Sequence, residues 1–198
     1  MSNIHPHTFQ VSAAERTKLF GHSSIVIWLT GLSGSGKSTI ADHLEKKLID
    51  ANIHTANLDG DSLRTGINKD LGFSEEDRTE NIRRIAEISK IISETGLVVI
   101  AAFVSPFSKD RNLVKHTVGK EIFIEVFIHT SLEECERRDV KGLYAKARSG
   151  EIKNFTGIDS PYEIPENPDI IINTEQTSIE EAVDLLYNLV LSKIRADK

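Results

Sequence analysis

The run GLSGSGKS at residues 31–38 constrains this 198-residue chain more than any other feature. It fits the spacing G-x-x-x-x-G-K-[S/T], in which glycine-rich backbone lets several N–H groups converge on phosphate oxygens. Such a loop needs a strand before it and a helix after it, because the helix N-terminus adds further donors and a positive dipole end. Both flanks are present. Residues 24–30, SIVIWLT, are apolar and rich in branched side chains, which predicts a buried strand. Residues 37–51 read as a helix. A chance glycine turn is the alternative, and the agreement of pattern with context weighs against it. Gly31, Leu32, Ser33, Gly34, Ser35, Gly36, Lys37, Ser38 and Thr39 are therefore expected to hold ATP. Lys37 would reach the β- and γ-phosphates, and the Ser38 hydroxyl would meet Mg2+.

The rest of the chain alternates strand and helix patterns. A strand at 54–58 ends in Asp59-Gly60-Asp61. Ser74, with Asp77 three residues on, has capping-box spacing and opens a helix whose apolar stripe is Ile82, Ile85, Ile88 and Ile92. Gly96 stops it. Strands are expected at 97–103, 122–128 and 170–173, and helices at 109–118 and 132–138. A last helix follows Ser178 and turns Ile179, Ala182, Val183, Leu186 and Val190 inward. This order predicts an α/β class, specifically a P-loop NTPase-type fold with a mainly parallel central sheet flanked by helices. Residues 141–165 lack periodicity and are rich in Gly, Lys and Arg. They are long for a connector, which points to a basic lid, with a solvated charged loop as the alternative. Residues 1–22 read as a polar leader with one short helix around 13–20, and residues 23–198 as one P-loop kinase domain.

Composition narrows the partners. A net charge of −6 disfavours nucleic acid and membrane surfaces as general partners. No apolar run approaches the ~20 residues of a membrane span. A single cysteine, Cys135, excludes an intrachain disulfide and fits a cytoplasmic location.

The loop identifies a donor and leaves the acceptor open. The 97–103 strand, LVVIAAF, has no terminal acid, so the acid near the metal must come from elsewhere. Asp59 and Asp61 lie beyond the carboxyl end of a strand, where open α/β sheets bind ligands. A D-G turn with solvated acids is equally compatible with those residues alone. Arg78 and Asn81, three apart, share the face of the isoleucine stripe, and a cation there is costly unless it meets a partner. With Arg64 they suit bidentate recognition of a phosphate- or sulfate-like group, and Phe73 between them is placed to stack on a base. A surface ion-pair set with a core Phe is the alternative. Ser105 follows the third strand, as a phosphate ligand or nucleophile on one reading and a turn serine before Pro106 on the other. No nearby histidine in sequence favours the covalent role.

Five segments in order, GLSGSGKST, LDGDSLR, GFSEEDRTENIRR, AFVSPF and KGLYAKARSGEIKNFTGIDSPYE, resemble the adenylyl-sulfate kinase (APS kinase) family over nearly the whole chain. The resemblance implies transfer of the ATP γ-phosphoryl group to the 3′-hydroxyl of adenosine 5′-phosphosulfate, giving 3′-phosphoadenosine 5′-phosphosulfate and ADP in sulfate assimilation. It implies that Phe73 and Phe155 sandwich the substrate adenine, and that Arg64, Arg78 and Asn81 bind its phosphosulfate and ribose. Asp59 would be the acid near the 3′-hydroxyl and Mg2+, with Asp61 beside it. Val104 and Leu143 would line the substrate site, Lys141 and Arg148 would be lid cations, Arg148 on ATP, and Ser105 the family's phosphoserine. It further implies a homodimer and leaves open coupling to an ATP sulfurylase. The sequence departs from the family at Ser62, often Asn, and Val140, often Pro. Another small-molecule P-loop kinase, or a nucleotide-binding domain without turnover, is the competing reading.

Overall fold

Five parallel strands run through the centre of the protein in the order β2-β3-β1-β4-β5. They are β1 (Val26–Thr30), β2 (Thr55–Asp59), β3 (Val98–Ala102), β4 (Phe123–His129) and β5 (Ile170–Asn173). This computed structural model describes residues 5, 7 and 9–194. The helices are α1 (Ala13–Phe20), α2 (Lys37–Asp50), α3 (Gly60–Thr65), α4 (Glu75–Glu94), α5 (Ser108–Val118), α6 (Leu132–Arg138), α7 (Leu143–Arg148) and α8 (Ile179–Ile194).

The pleat of β1 divides the core. Ile27 and Leu29 point to the layer formed by α2 and α8, with Leu44, Leu48, Leu186 and Val190. Val26 and Trp28 point to the opposite layer, with Ile82, Ile85 and Ala86 of α4 and Val114 of α5. All five β1 residues are buried, which explains why the sequence there is continuously apolar rather than alternating. Because every strand is parallel, the carboxyl ends of all five lie on one edge. Asp59 pairs in register with Ala102, and Leu29 pairs with Ala102 from the other side, so the ends of β2, β3 and β1 are level.

Several expectations change. The acidic turn at 59–61 is the start of α3, with Asp59 as its N-cap. The 141–165 stretch contains α7. The buried face of α4 is Asn81, Ile82, Ile85, Ala86, Ser89 and Ser93, while Ile88 and Ile92 are only half-buried. Small side chains on that face let α4 lie against α5, which rotates the apolar stripe away from its centre. Ile179 is exposed, because it is the first residue of α8 and precedes the face that meets the sheet. On α1, Ser12 and Glu15 form a reciprocal capping box, and Arg16 donates to the Thr95 carbonyl at 3.3 Å. Phe20 packs where Gly96 lacks a side chain; a Cβ there would approach its ring to 2.8 Å.

One buried cation joins three of these parts. Arg111 of α5 is 4% exposed and pairs with Glu125 of β4 at 2.8 Å. It also donates to the Ser105 carbonyl at 2.9 Å and the Glu163 carbonyl at 2.8 Å. Arg111→Ala would leave the largely buried Glu125 carboxylate without its counter-charge, so we expect a loss of about 3 kcal/mol in denaturant unfolding.

Candidate active site

The P-loop folds as its glycines require. Gly36 has φ +100° and caps α2 without a side-chain hydrogen bond, leaving the first N–H groups of the helix free for a ligand. At Gly31 a Cβ would lie 2.4 Å from the Ile128 carbonyl oxygen, so no side chain fits. Lys37 turns back into the loop, where its Nζ donates to the Leu32 carbonyl at 2.7 Å and lies 3.4 Å from Ser35 Oγ. Among the described residues no carboxylate contacts it. Burial brings its pKa down from 10.5 to about 8, and the Lys141 charge adds to that, against the opposing pull of Cys135, Asp59 and Asp61.

Asp59 divides its carboxylate between two tasks. Oδ2 accepts from the Asp61 and Ser62 backbone N–H groups at 3.1 and 3.2 Å, capping α3. Oδ1 accepts from the Ser38 hydroxyl at 3.2 Å. The acid that β3 lacks is thus supplied by β2, one strand further out. Gly60, next to Asp59, packs against Phe103 just beyond the end of β3. Two hard oxygen donors facing a phosphate loop fit Mg2+, which takes few protein ligands and fills its shell with water and phosphate oxygens. Thr39 is exposed on the first turn of α2.

On the other side of Asp59, α3 carries Arg64. Its guanidinium donates to the Gly72 carbonyl at 2.8 Å and lies 4.5 Å from the Phe73 ring centroid. Arg78 donates from Nε to the Phe73 carbonyl at 3.0 Å and from its terminal nitrogens to the Asn154 carbonyl and the Thr156 hydroxyl. One guanidinium therefore holds the backbone of Phe73 and the residues on both sides of Phe155. Both arginines have pKa values lowered, first by burial; for Arg78 the next cause is repulsion from Arg64. Asn81 is buried, and its Oδ1 accepts from Asn68 Nδ2 at 2.9 Å. Phe73 is 60% exposed, and Phe155 packs edge-on against Tyr144.

The 141–165 segment lies against the P-loop. The Tyr144 hydroxyl donates to the Ser33 carbonyl at 2.9 Å, and a Cβ on Gly157 would come within 3.2 Å of Leu32. Lys141 pairs with Asp61 across the cleft. Arg148 pairs with Glu136 of α6 instead of facing the P-loop. Leu143 and Val104 are half-buried, and the Val104 carbonyl accepts from Thr30 at 2.8 Å. At its far end, Tyr162 meets the Thr30 hydroxyl at 2.9 Å.

Ser105 is 2% exposed. Its Oγ accepts from the Trp28 indole N–H at 3.0 Å, and its φ of +38° is a strained conformation for serine. Arg111 and Thr30 hold its carbonyl. Trp28, Thr30, Arg111, Tyr144 and Asn68 all support site residues, yet none carried a local sequence signal; their partners lie far away in the chain.

A parallel α/β sheet with a P-loop after its central strand, an acid on the P-loop serine and a doubly cationic pocket beside it define a P-loop kinase. The adenylylsulphate kinase family model matches residues 23–173, and the chain belongs to that family. The adenylyl-sulfate kinase of Bacteroides thetaiotaomicron is 55% identical over 91% of this chain and 90% of its own length. That of Oceanobacillus iheyensis is 52% identical, covering 97% and 96%. Among solved structures, Mycobacterium tuberculosis APS kinase CysC in complex with AMPPNP and APS superposes with a TM-score of 0.82 at 47% identity, covering 84% of this chain and 97% of that one. A Sinorhizobium meliloti gluconokinase, 16% identical with a TM-score of 0.52, shares the fold alone. No helix among the described residues is long and apolar enough to cross a membrane.

The depressed Lys37 pKa gives a signed prediction. Between about pH 8 and 10.5 the unfolded chain holds a proton that the ligand-free folded protein does not, so this group's contribution to stability rises with pH through that window. Phosphates seated on the loop would favour the ammonium form again. At about pH 9, nucleoside triphosphate binding should take up close to one proton, read by calorimetry in buffers of different ionisation enthalpy. Lys37→Met should abolish the uptake; unchanged uptake would assign the proton elsewhere.

Proposed function

We propose that this chain transfers the γ-phosphoryl group of ATP to the 3′-hydroxyl of adenosine 5′-phosphosulfate, giving 3′-phosphoadenosine 5′-phosphosulfate and ADP in sulfate assimilation. The observation that carries this reading is Asp59, one oxygen on Ser38 of the donor loop and the other capping the helix that carries Arg64 on the acceptor side. The M. tuberculosis structure with AMPPNP and APS supports the same pair of ligands.

In this mechanism the P-loop N–H groups of residues 31–39 hold the phosphates and Lys37 neutralises charge on the transferring group. Arg64 and Arg78 bind the phosphosulfate, Asn81 the ribose, and Phe73 and Phe155 the two faces of the adenine. The repulsion between the arginines is relieved by an anionic acceptor. Val104 and Leu143 line the acceptor site. Asp59 orients the 3′-hydroxyl and accepts its proton as the new O–P bond forms and the bond to the β–γ bridging oxygen breaks. Ser38 and Asp59 would hold Mg2+, which supplies charge neutralisation and geometry at the phosphates. Residues 141–165 form a lid that excludes water, with Lys141 released from Asp61 and Arg148 from Glu136 to meet phosphates on closure. Ser105 sets the 103–107 turn rather than carrying phosphate, because its hydroxyl is sealed against Trp28. The chain acts in the cytoplasm, coupled to the sulfurylase that supplies its substrate, as a homodimer. Ile164 and Ile171, large apolar side chains left exposed, support that association.

Measured by ADP release, adenosine 5′-phosphosulfate should be the acceptor, with gluconate, shikimate and nucleosides inactive; the reverse pattern would overturn the reading. Asp59→Asn should lower kcat by ~10²–10⁴-fold, the range of general-base loss. Ser105→Ala should retain most of kcat with a lower Tm; loss of turnover at unchanged stability would restore the covalent role.

A further inference from the structure

Asn68 takes no part in the proposed mechanism, yet its side chain is fully buried and touches Asn81. It lies in the 66–73 connection between α3 and α4, held by its own backbone: its N–H donates to the Leu63 carbonyl at 2.9 Å and its carbonyl accepts from Leu71 at 3.1 Å. The same connection is clamped from outside by Arg84, which pairs with Asp70 at 2.7 Å and donates to the Ile67 carbonyl at 3.3 Å. A backbone fixed this firmly leaves the Asn68 amide little freedom.

That amide makes one side-chain hydrogen bond, from Nδ2 to Asn81 Oδ1, and its own Oδ1 has no partner among the described residues. A buried unpaired acceptor costs about 1–3 kcal/mol. The opposite orientation of both amides would leave both hydrogens of the Asn68 NH2 group unpaired, where the observed one leaves one oxygen and one hydrogen unpaired. The observed orientation has a consequence for Asn81. With its oxygen engaged by Asn68, Asn81 has Nδ2 free to donate: it makes no hydrogen bond among the described residues and is not sealed from solvent.

We infer that Asn68 is a positioning residue for the acceptor. It locks Asn81 so that the site offers a hydrogen-bond donor, and thereby selects an oxygen acceptor, a ribose or phosphosulfate oxygen, at that point. This deepens the proposed reaction and rests on Asn81 contacting the acceptor. Asn68 touches no reacting atom; it acts through Asn81 alone.

The test is steady-state kinetics with KM resolved for each substrate. Asn81→Ala comes first: an unchanged KM for adenosine 5′-phosphosulfate would refute the Asn81 contact itself, and with it this inference. Given a raised KM there, Asn68→Ala should raise the same KM by about 10-fold, the worth of one strong hydrogen bond, with the KM for ATP unchanged. In the Asn81→Ala background it should add nothing further. Asp70→Asn loosens the same connection without touching Asn81 and should leave the acceptor KM unaltered. A rise equal to that of Asn68→Ala would reduce Asn68 to loop packing and overturn the proposal. Asn81→Asp keeps the bond from Asn68 but presents oxygen to the ligand. It should bind the acceptor more weakly than Asn81→Ala; equal or tighter binding would show that Asn81 is not a donor.

Discussion

Positive charge held without a matching negative one is the constraint on which the site depends. Lys37 is buried against a carbonyl and a hydroxyl, and Arg64 and Arg78 are half-buried with their pKa values lowered by burial, that of Arg78 also by the Arg64 charge. In a chain of net charge −6, this concentration of unneutralised cations runs against the average composition. Each of them costs folding free energy that an anionic ligand returns on binding. The rest of the core exists to hold them still: the buried β1, the α4–α5 layer and the Arg111 hub fix the backbone on which these side chains are set. Such preorganised charge is worth most where the transition state carries spread negative charge and little covalent work remains for the protein.

Arg78 has a second duty that explains its place. By binding the backbone at Phe73 and again at 154–156, it joins the α4 terminus to the 141–165 segment. Lys141, Tyr144 and Tyr162 add ties to Asp61, the P-loop and β1. These ties are not of one kind. The Lys141 and Arg148 pairs are exposed and individually weak, whereas the Tyr144 and Tyr162 hydroxyls are half-buried or buried. The segment is thus anchored at its tyrosines and releasable at its cations.

Legibility in the sequence followed the range of each interaction. The P-loop, the strand before it and α2 were readable because the pattern, the glycine conformations and the first helical turn lie within a few residues of one another. Ser74 as the cap of α4 was readable for the same reason. The short helices were not. Asp59 and Gly142 begin α3 and α7, and what fixes those starts is the end of β2 in one case and a left-handed glycine in the other. The α4 stripe misled because residue apolarity was taken for burial. Ser89 and Ser93 are inside and Ile88 and Ile92 half outside, a rotation set by the neighbouring helix α5. Ser105 shows the limit most sharply. Its motif points to chemistry, while its environment, an indole N–H 77 positions earlier in the chain, points to architecture.

The missing acid of β3 ties these threads together. In many P-loop proteins the strand beside the loop supplies the metal-side carboxylate. Here β3 ends in Ala102 and Phe103, and Phe103 stacks on Trp28, so the position nearest the loop is spent on packing. Moving the carboxylate to β2 puts it one strand further from the donor and directly against α3. A carboxylate beside the loop would serve the donor phosphates alone. Asp59, by capping α3, also sets the direction from which Arg64 approaches, so a shift of the acid would shift that guanidinium with it. The P-loop serine and the cationic pocket at Arg64 are therefore coupled through one side chain, and the coupling follows from which strand ends in an acid.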